Sequence, residues 1–252
     1  MVEQTKSKVI RREACPECGS RDNVAVYDDG GKHCYGASCT YRVHSNSGNI
    51  IEIERKPSPI KTTGTLSGIA DRKITLDTCK FYGVTVTQEP VKHIYPYYSE
   101  TGELLANKIR NVATKSFHSE GDIKGSLLFG QNKFGNGGNF ITLCEGELDA
   151  MSAYELLGSK WPVVSIKNGS QSVKMDIANK RVYDFLMSYE SIIICFDNDD
   201  AGKAAAIKAA EVLAPKVKIM PMQYKDANEY LCLEKKKEFV RHWWDAKQYT
   251  PE

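Results

Sequence analysis

Short apolar runs alternate with amphipathic stretches through the second half of this 252-residue chain. The runs are rich in Ile and Val, which is typical of buried strands, and the stretches between them repeat apolar residues at helical spacing. The predicted strands are Phe140–Cys144, Val163–Ile166, Ser191–Phe196 and Lys216–Met220. The predicted helices are Leu148–Leu157, a stretch that ends near Met187, Ala201–Leu213 and Glu234–Trp244. The alternation predicts an α/β domain whose parallel sheet is covered by helices on both faces.

The pattern is mixed before residue 137. A helix is predicted at Leu76–Tyr82, and two strands, Val91–Tyr98 and Leu104–Asn111, flank a Ser-Glu-Thr-Gly turn. Nearer the start, Val24–Tyr27 is predicted to be a strand, and an Asp-Asp-Gly-Gly turn follows it. These elements predict a small α+β subdomain that precedes the parallel sheet.

Changes in composition and runs of Gly, Pro and polar residues divide the chain into four segments. We predict a cysteine-rich domain over residues 1–48, a polar linker over 49–65, a basic α+β subdomain over 66–136 and the parallel-sheet subdomain over 137–248. Apolar residues make up 41% of the chain, but none of their runs approaches the length of a membrane span. We therefore expect no membrane association.

Four cysteines in the first forty residues follow the order C-x2-C-x15-C-x4-C, at Cys15, Cys18, Cys34 and Cys39. Two pairs of thiolates on tight turns are the usual ligands of a structural zinc ion. A disulfide framework is the competing interpretation. It is disfavoured because no secretory signal opens the sequence and the other four cysteines are scattered singly. The spacing predicts one Zn²⁺ in a zinc-ribbon module and a reducing, cytoplasmic setting.

Basic and acidic residues are segregated along the sequence, although the formal net charge is only +2. The cations of the middle segment are Lys108, Arg110, Lys115, Lys124 and Lys133. The later segments concentrate carboxylates, at Glu145, Glu147, Asp149, Asp197, Asp199, Asp200 and Asp226. A basic surface and an acidic pocket in one protein suggest a polyanion that is held next to a divalent metal ion.

The position of the carboxylates along the chain is more informative than their number. Glu145 comes directly after the first predicted strand, Asp197 and Asp199 after the third, and Asp226 shortly after the last. The carboxyl ends of parallel strands meet at one edge of a sheet, so these side chains are predicted to lie close together. Their oxygens suit Mg²⁺ or Mn²⁺ and metal-assisted phosphoryl chemistry. A second interpretation stays open, in which Asp199 or Asp200 only caps the helix that follows.

Two motifs resemble the signatures of the TOPRIM fold, which bacterial primases, topoisomerases and some nucleases share. One is Phe140–Leu148, with Glu-Gly-Glu after an apolar strand, and the other is Phe196-Asp-Asn-Asp-Asp-Ala-Gly202. With the four-cysteine module, the Lys108-Ile-Arg110 strand and the Lys225-Asp-Ala-Asn-Glu229 segment, the chain resembles the primase half of T7-like phage primase-helicases. The likeness runs from about Ala14 to Ala246 and implies a zinc-binding domain followed by a TOPRIM-containing RNA polymerase domain.

The resemblance also implies roles for individual carboxylates. Glu145 would be the general base or a metal-linked acid, while Asp197, Asp199 and Asp226 would hold Mg²⁺.

Other roles are implied for the basic residues and the cysteine module. Lys108, Arg110 and Lys115 would engage nucleotide phosphates and the template. The zinc module, with His33 beside Cys34, would read the template. This chain departs from that family pattern in the x4 spacing of the last cysteine pair, where the pattern has x2. It also has Gly31 where the pattern has a histidine.

The function that follows from the resemblance is that of a DNA primase, a DNA-directed RNA polymerase that makes short RNA primers from ribonucleoside triphosphates on single-stranded DNA. Its expected partners are a replicative helicase, fused or separate, and a replicative DNA polymerase, in the cytoplasm of a phage-infected bacterium. The sequence contains no G-x4-G-K-[ST] phosphate loop, so it does not include the helicase motor. Both a primase half and a stand-alone primase are consistent with this.

Three other functions use similar residues. A TOPRIM nuclease would hydrolyse DNA with the same carboxylates, but such nucleases usually lack the zinc module. A topoisomerase needs a nucleophilic tyrosine in a large additional domain, for which 252 residues leave no room. A non-catalytic recombination mediator pairs zinc with TOPRIM, but it would not be expected to keep the full acidic set or the basic strand.

Overall fold

The computed structural model describes residues 8–36, 39, 41–43, 57–169 and 173–251. The chain divides into two compact units, Met1–Ser58 and Pro59–Glu252. Part of the segment that we assigned to the linker is bound within the second unit, since the backbone N–H groups of Lys61 and Thr62 both donate to Glu120 Oε2. The other predicted domain boundaries stay predictions. None of the helices in the described ranges combines the length and apolar character that a membrane crossing requires.

The first unit is a small antiparallel sheet. Its strands are β1 (Val9–Glu13), β2 (Val24–Tyr27), β3 (Lys32–Cys34) and β4 (Arg42–Val43), in that order across the sheet. Strand β2 has the bounds that the sequence predicts. Val24 and Val26 point to the same side as the cysteines and form a small core with them. The cysteines therefore supply much of the buried interior of this unit.

The second unit begins with a helix and a second antiparallel sheet. A short 3₁₀ helix, Ala70–Arg72, precedes α1 (Leu76–Tyr82), and the strands are β5 (Thr85–Thr87), β6 (Lys92–Tyr98), β7 (Leu104–Asn111) and β8 (Phe117–Gly121). The strand order is β5-β6-β7-β8. Helix α1 begins where the Thr75 hydroxyl caps the N–H of Thr78, and it ends at Gly83, whose φ of 78° a side chain would disfavour.

The larger sheet is mainly parallel, as predicted. A 3₁₀ helix, Gln131–Lys133, leads to β9 (Gly138–Cys144), α2 (Glu147–Leu156), β10 (Val163–Ser165), α3 (Val173–Ala178), α4 (Lys180–Met187), β11 (Tyr189–Cys195), α5 (Asp200–Leu213), β12 (Val217–Ile219), α6 (Ala227–Cys232), α7 (Lys236–Trp244) and β13 (Lys247–Gln248). The strand order is β10-β9-β11-β12-β13, and only β13 runs antiparallel. This arrangement confirms the predicted fold class.

One predicted helix is wrong in detail. The stretch expected to run as a single helix to about Met187 is two helices, because Asn179 accepts a hydrogen bond from the N–H of Arg181 and starts α4 as a new helix. Helix α6 was not predicted.

Side chains on the parallel strands alternate between two apolar cores. On β9, Ile141 and Leu143 pack with α3, α4 and α5, whereas Cys144 faces the core that contains α2 and α7. Thr142 lies on that second face and accepts a hydrogen bond of 2.9 Å from Trp243 Nε1. Because helices cover both faces of the parallel sheet, the carboxylates predicted to bind metal lie beyond the ends of the strands and not on the two faces.

Candidate functional site

The four cysteines of the first unit are brought together as a ready ligand set. Their sulfur atoms all lie within 4.8 Å of one another. Cys15 Sγ is 3.4 Å from Cys39 Sγ, and Cys18 Sγ is 3.7 Å from Cys34 Sγ. Four sulfurs that each lie about 2.3 Å from one tetrahedral zinc ion would be separated by about 3.8 Å. The two close pairs lie within a few tenths of an ångström of that separation, and no pair exceeds it by more than about 1 Å, so the cluster fits a tetrahedral metal after small shifts of the side chains.

The turns that carry the cysteines have the conformation that a metal knuckle requires. Gly19 has a φ of 70° and donates its N–H to Cys15 O at 3.0 Å. Gly36 donates its N–H to Cys34 Sγ at 3.4 Å, and a Cβ at Gly36 would lie 3.5 Å from Cys18 Sγ. The glycines thus allow the backbone to approach the sulfurs, and N–H groups that point at sulfur favour the thiolate form.

His33 lies on the other face of the same sheet. Side chains alternate along β3, so Cys34 enters the core while His33 points away from it. Its ring centroid is 4.5 Å from that of Tyr35, and the Tyr35 hydroxyl is 2.5 Å from the Tyr27 hydroxyl. Arg42 is opposite His33 on β4. This face presents aromatic rings and a cation, and its role in template reading stays a prediction.

The second unit gathers carboxylates where β9 and β11 end. These strands are neighbours, and Cys144 is in register with Cys195, so Glu145 and Asp197 follow at the same edge of the sheet. Asp149 lies one turn into α2, four residues after Glu145. Asp226 precedes α6 at its N-terminus.

Hydrogen bonds between loops bring the α6 terminus to this edge. The Asn198 N–H donates to Lys225 O at 2.6 Å, and the Asn198 side chain donates to Met222 O at 3.1 Å. The Asn228 N–H donates to Asp149 Oδ1 at 3.2 Å. The loop after β11, the first turn of α2 and the start of α6 therefore form one pocket, which we call the carboxylate pocket: Glu145, Asp149, Asp197 and Asp226.

The members of the carboxylate pocket repel one another. Burial raises the pKa of Asp197 to about 7, and the charges of Glu145 and Asp226 also raise it. Burial likewise raises the pKa of Asp149 well above its ordinary value, with further contributions from Asp226 and Asp197. Sequence reasoning placed Asp149 in an acidic segment without assigning it to the site. The available signal was its position in the first turn of the helix that directly follows Glu145.

Two of the predicted metal ligands also cap helices. Asp199 Oδ1 accepts from the N–H of Gly202 at 2.8 Å, and Asp226 Oδ1 accepts from the N–H of Glu229 at 2.8 Å. Asp199 therefore does cap α5, and its role as a metal ligand stays a prediction. Gly202 is also explained by the fold, because a Cβ there would lie 2.2 Å from Asp197 O. Helix α5 can start beside Asp197 only with glycine at this position.

The carboxylate pocket fits a divalent ion differently from the cysteine cluster. Within the described residues, only the four cysteines place three or more potential ligand atoms within 4.8 Å of one another. Carboxylate oxygens are hard ligands, and Mg²⁺ commonly takes one or two of them and completes its shell with water and substrate phosphate. The pocket therefore fits an open site whose remaining ligands come from solvent and substrate.

Lys108 and Arg110 share one face of β7, as their parity predicts. Both cations lie against the ring of Phe117, at 4.9 Å and 5.9 Å from its centroid. Arg110 is only 9% exposed. Lys115, in contrast, is exposed in the turn that follows β7. The structure thus groups two of the three predicted basic residues and leaves the third at a hairpin tip.

Lys108 is held by groups that sequence reasoning missed. Its Nζ lies 2.7 Å from Glu147 Oε1 and donates to Lys167 O at 2.6 Å. The Tyr97 hydroxyl also donates to Glu147. Glu147 is the first residue of α2 and follows Glu145 by two positions in the chain. The buried ion pair therefore holds the Lys108 ammonium at the start of α2, next to the segment that carries Glu145. The role of Lys108 in binding nucleotide phosphates stays a prediction, and in this structure its ammonium is paired with Glu147.

Lys167 links the end of β10 to the smaller sheet. Its buried Nζ donates to Lys124 O at 3.2 Å and Ser126 O at 3.1 Å, and it lies 3.8 Å from Asp176 Oδ1. Burial lowers the pKa of this lysine. Because the Lys167 carbonyl accepts from Lys108, the network fixes the Lys108 ammonium beside the sheet edge that carries the carboxylates.

Comparison with known proteins identifies similar molecules. Residues 142–231 match the family described as Toprim-like. A DNA helicase/primase of Enterobacteria phage T3 is 31% identical over 268 aligned residues, which cover 100% of this chain and 46% of that protein. The chain thus spans about half the length of that curated relative.

Solved structures give the same likeness in three dimensions. The primase fragment of the bacteriophage T7 primase-helicase superposes with a TM-score of 0.67 and 27% identity, over 94% of this chain and 100% of that one. A second match has a TM-score of 0.69 and 29% identity, over 76% of this chain and 100% of the other. It comes from a complex in which the T7 lagging-strand DNA polymerase interacts with primase domains bound to an RNA/DNA hybrid and dTTP.

Proposed function

Residues 142–231 match the Toprim-like family, and the whole chain aligns with about half of a phage DNA helicase/primase; from this premise we propose that the chain is a DNA primase. It would join ribonucleoside triphosphates into short RNA primers on a single-stranded DNA template. The observation that carries the proposal is the carboxylate pocket, which lies at the ends of adjacent parallel strands within the Toprim-like segment, with the Lys108 ammonium fixed nearby.

In this proposal Glu145, Asp149, Asp197 and Asp226 hold Mg²⁺ or Mn²⁺, and Asp199 contributes from the start of α5. The bound ion would neutralise charge that develops on the reacting phosphates. In this proposal Glu145 would also accept the proton that is released in the reaction. Burial and the neighbouring charges of Glu145 and Asp226 raise the pKa of Asp197, and a bound cation would offset the repulsion among these carboxylates.

The basic residues would hold the anionic substrates. Lys108 already pairs with a carboxylate, and a triphosphate oxygen could take the place of Glu147 on the same ammonium. Arg110 lies against the same ring and would support this position. Lys115, at the hairpin tip, would contact the template backbone.

The first unit would bind one structural Zn²⁺ through Cys15, Cys18, Cys34 and Cys39 and present a reading face to the template. That face carries His33, Tyr27 and Tyr35 with Arg42. Aromatic rings stack on bases at about 1–3 kcal/mol each, and a neighbouring cation supports the adjacent phosphates.

The relatives support partners and a setting for this activity. One relative is named as a helicase/primase, and another occurs in a complex with a replicative DNA polymerase. We therefore include a helicase and a replicative DNA polymerase among the proposed partners. The phage origin of these proteins supports the cytoplasm of an infected bacterium as the place of action.

The decisive experiment incubates the protein with single-stranded DNA of varied sequence and labelled ribonucleotides, with Mg²⁺ or without it. We expect template-dependent oligoribonucleotides that require the divalent ion. Release of DNA fragments instead would assign the same carboxylates to a nuclease. Binding of DNA with neither product would favour a non-catalytic mediator.

A further inference from the structure

A cavity of about 330 Å³ lies between the end of α2 and one side of α7. Trp161, Trp243 and Trp244 line it together with Lys160 and Lys236. The indoles pack on Phe140, near the start of β9, whereas the carboxylate pocket follows the end of that strand. With a rise of about 3.3 Å per residue, the two places are about 17 Å apart along the sheet. The cavity is therefore separate from the proposed catalytic site.

The aromatic rings form a fixed platform with one exposed member. Trp243 is buried, and its Nε1 donates to Thr142. Trp244 is 58% exposed although it is the largest type of apolar side chain. It meets Trp243 at 4.8 Å and Phe140 at 5.4 Å, with interplanar angles of 86° and 83°. These edge-to-face contacts fix the indole while its surface stays accessible.

The charges around the cavity have one sign. Lys160 and Lys236 lie in its lining, and none of the lining residues is acidic. In the parts of the chain that the structure describes, neither lysine forms an ion pair with a carboxylate. The cavity therefore offers a flat aromatic surface beside two ammonium groups that have no counter-charge. A ligand that matches it is planar and apolar in one part and anionic in the next.

We propose that this cavity is a second binding site for single-stranded nucleic acid. One base stacks on Trp244, and the neighbouring phosphates contact Lys160 and Lys236. Stacking on an indole is tolerant of sequence because every base has a flat face, and lysines next to the ring hold the backbone. The volume of about 330 Å³ lies at the lower end of the range for small-molecule pockets, about 300–1,000 Å³, and leaves room for one nucleotide unit. The site would hold a strand away from the carboxylates, and its existence does not depend on primer synthesis.

The tryptophans of this chain serve as an intrinsic fluorescent probe of the cavity. It contains three tryptophans, and all three line the cavity, so intrinsic tryptophan fluorescence reports on this place alone. Titration of the full chain with oligothymidylate, without added Mg²⁺, should quench this fluorescence. The double variant Lys160→Ala/Lys236→Ala should raise the fluorescence-derived Kd about tenfold. It should also lower the slope of log K against log salt by about 1.4, since about 0.7 is expected for each phosphate contact to a single strand.

Lys237→Ala is the matched control, because this exposed lysine neighbours Lys236 on α7 but does not line the cavity. It should leave the Kd unchanged. Lys108→Ala should impair primer synthesis and leave the quenching intact, which separates a failure of this proposal from a failure of the proposed function. Absence of quenching by the oligonucleotide, or an unchanged Kd in the double variant, would overturn the proposal. Quenching by an acidic peptide but not by the oligonucleotide would assign the cavity to a protein partner and also overturn it.

Discussion

The cysteine cluster and the carboxylate pocket are both predicted to hold metal ions, but they differ in what holds their ligands in place. The four sulfurs lie within 4.8 Å of one another, and the cysteines form the small core of their unit together with Val24 and Val26. The carboxylates lie beyond the ends of β9 and β11 and at the starts of α2 and α6, and the apolar cores of this unit do not include them. In the pocket, like charges and burial push the pKa values of Asp149 and Asp197 upward.

The comparison indicates that the zinc ion would be structural and that the ion in the carboxylate pocket would be catalytic. An ion that fills a closed set of soft ligands replaces a hydrophobic core and is part of folding. An ion in an open set of hard ligands can come and go, because the surrounding sheet does not need it. The first unit should therefore depend on its metal for structure, and the second should depend on its metal for activity alone.

The largest expected effect is loss of the first unit when zinc is removed. Binding of structural zinc in small modules is worth about 10–16 kcal/mol, which is more than a unit of this size can lose and stay folded. Chelation, or Cys34→Ser, should abolish amide protection over residues 8–36 in hydrogen exchange and leave residues 59–252 protected. Cys232→Ser is the control and should change neither region. Protection that survives in zinc-free protein would contradict the comparison.

The next effect concerns the pocket. Asp197→Asn should reduce primer synthesis to less than about a tenth of the parent rate, since it removes a charged ligand of the ion. The metal-free variant should melt at a higher temperature than the parent, because a repelling charge has gone. Asp200→Asn is a matched control, because Asp200 is an exposed residue in the first turn of α5. A variant that keeps its activity would place the metal elsewhere.

Lys108→Ala should slow dinucleotide formation about a hundredfold, equivalent to about 2.7 kcal/mol of transition-state stabilisation. It should also destabilise the fold, because removing one partner of a buried ion pair commonly costs about 3–5 kcal/mol. The double variant Lys108→Met/Glu147→Gln should recover stability without recovering activity. Rates of nucleotide joining and urea denaturation, measured on the same samples, test both statements. Recovery of activity in the double variant would show that Lys108 serves structure alone.

The last expected effect is a dependence of stability on pH. The pKa of Asp197 is raised from its ordinary value near 4 to about 7, so the fold favours the protonated carboxyl. The contribution of this group to metal-free stability is full below pH of about 4 and is lost as the pH rises through about 7. The stability of the parent relative to Asp197→Asn should therefore fall across this range. Saturating Mg²⁺ should reduce the fall, and a constant difference between the two proteins would disprove the assigned pKa shift.

The sequence predicts those strands and helices whose ends are set by residues nearby in the chain. The bounds of β2, α1 and β7 agree with the sequence pattern, because each element has a turn or cap nearby. The four main parallel strands were found from their apolar runs. Their adjacency in the sheet also brings Glu145 and Asp197 together without further information.

The rest depends on contacts between distant segments. The pairing of Lys108 with Glu147, and the bonds from Lys167 to carbonyl groups before β9, join residues about 40 or more positions apart. Asn228 is buried and donates its side chain to both Ser152 and Arg72 O, although it lies in a short polar segment. No local pattern distinguishes such residues from solvated ones, so their roles became visible only in three dimensions.

The chain order of the strands has a consequence for synthesis on the ribosome. Strand β9 emerges first and lies between β10 and β11, and β12 is then added outside β11, so the sheet grows outward from its earliest strand. At a translation rate of about 5–20 residues per second, roughly 4–16 s separate the appearance of Glu145 from that of Asp226. During that interval the apolar strands can associate without opposition from the full set of acids. In the nascent chain the full repulsion among the pocket carboxylates therefore arises last, after the central strands of the sheet are available to pair.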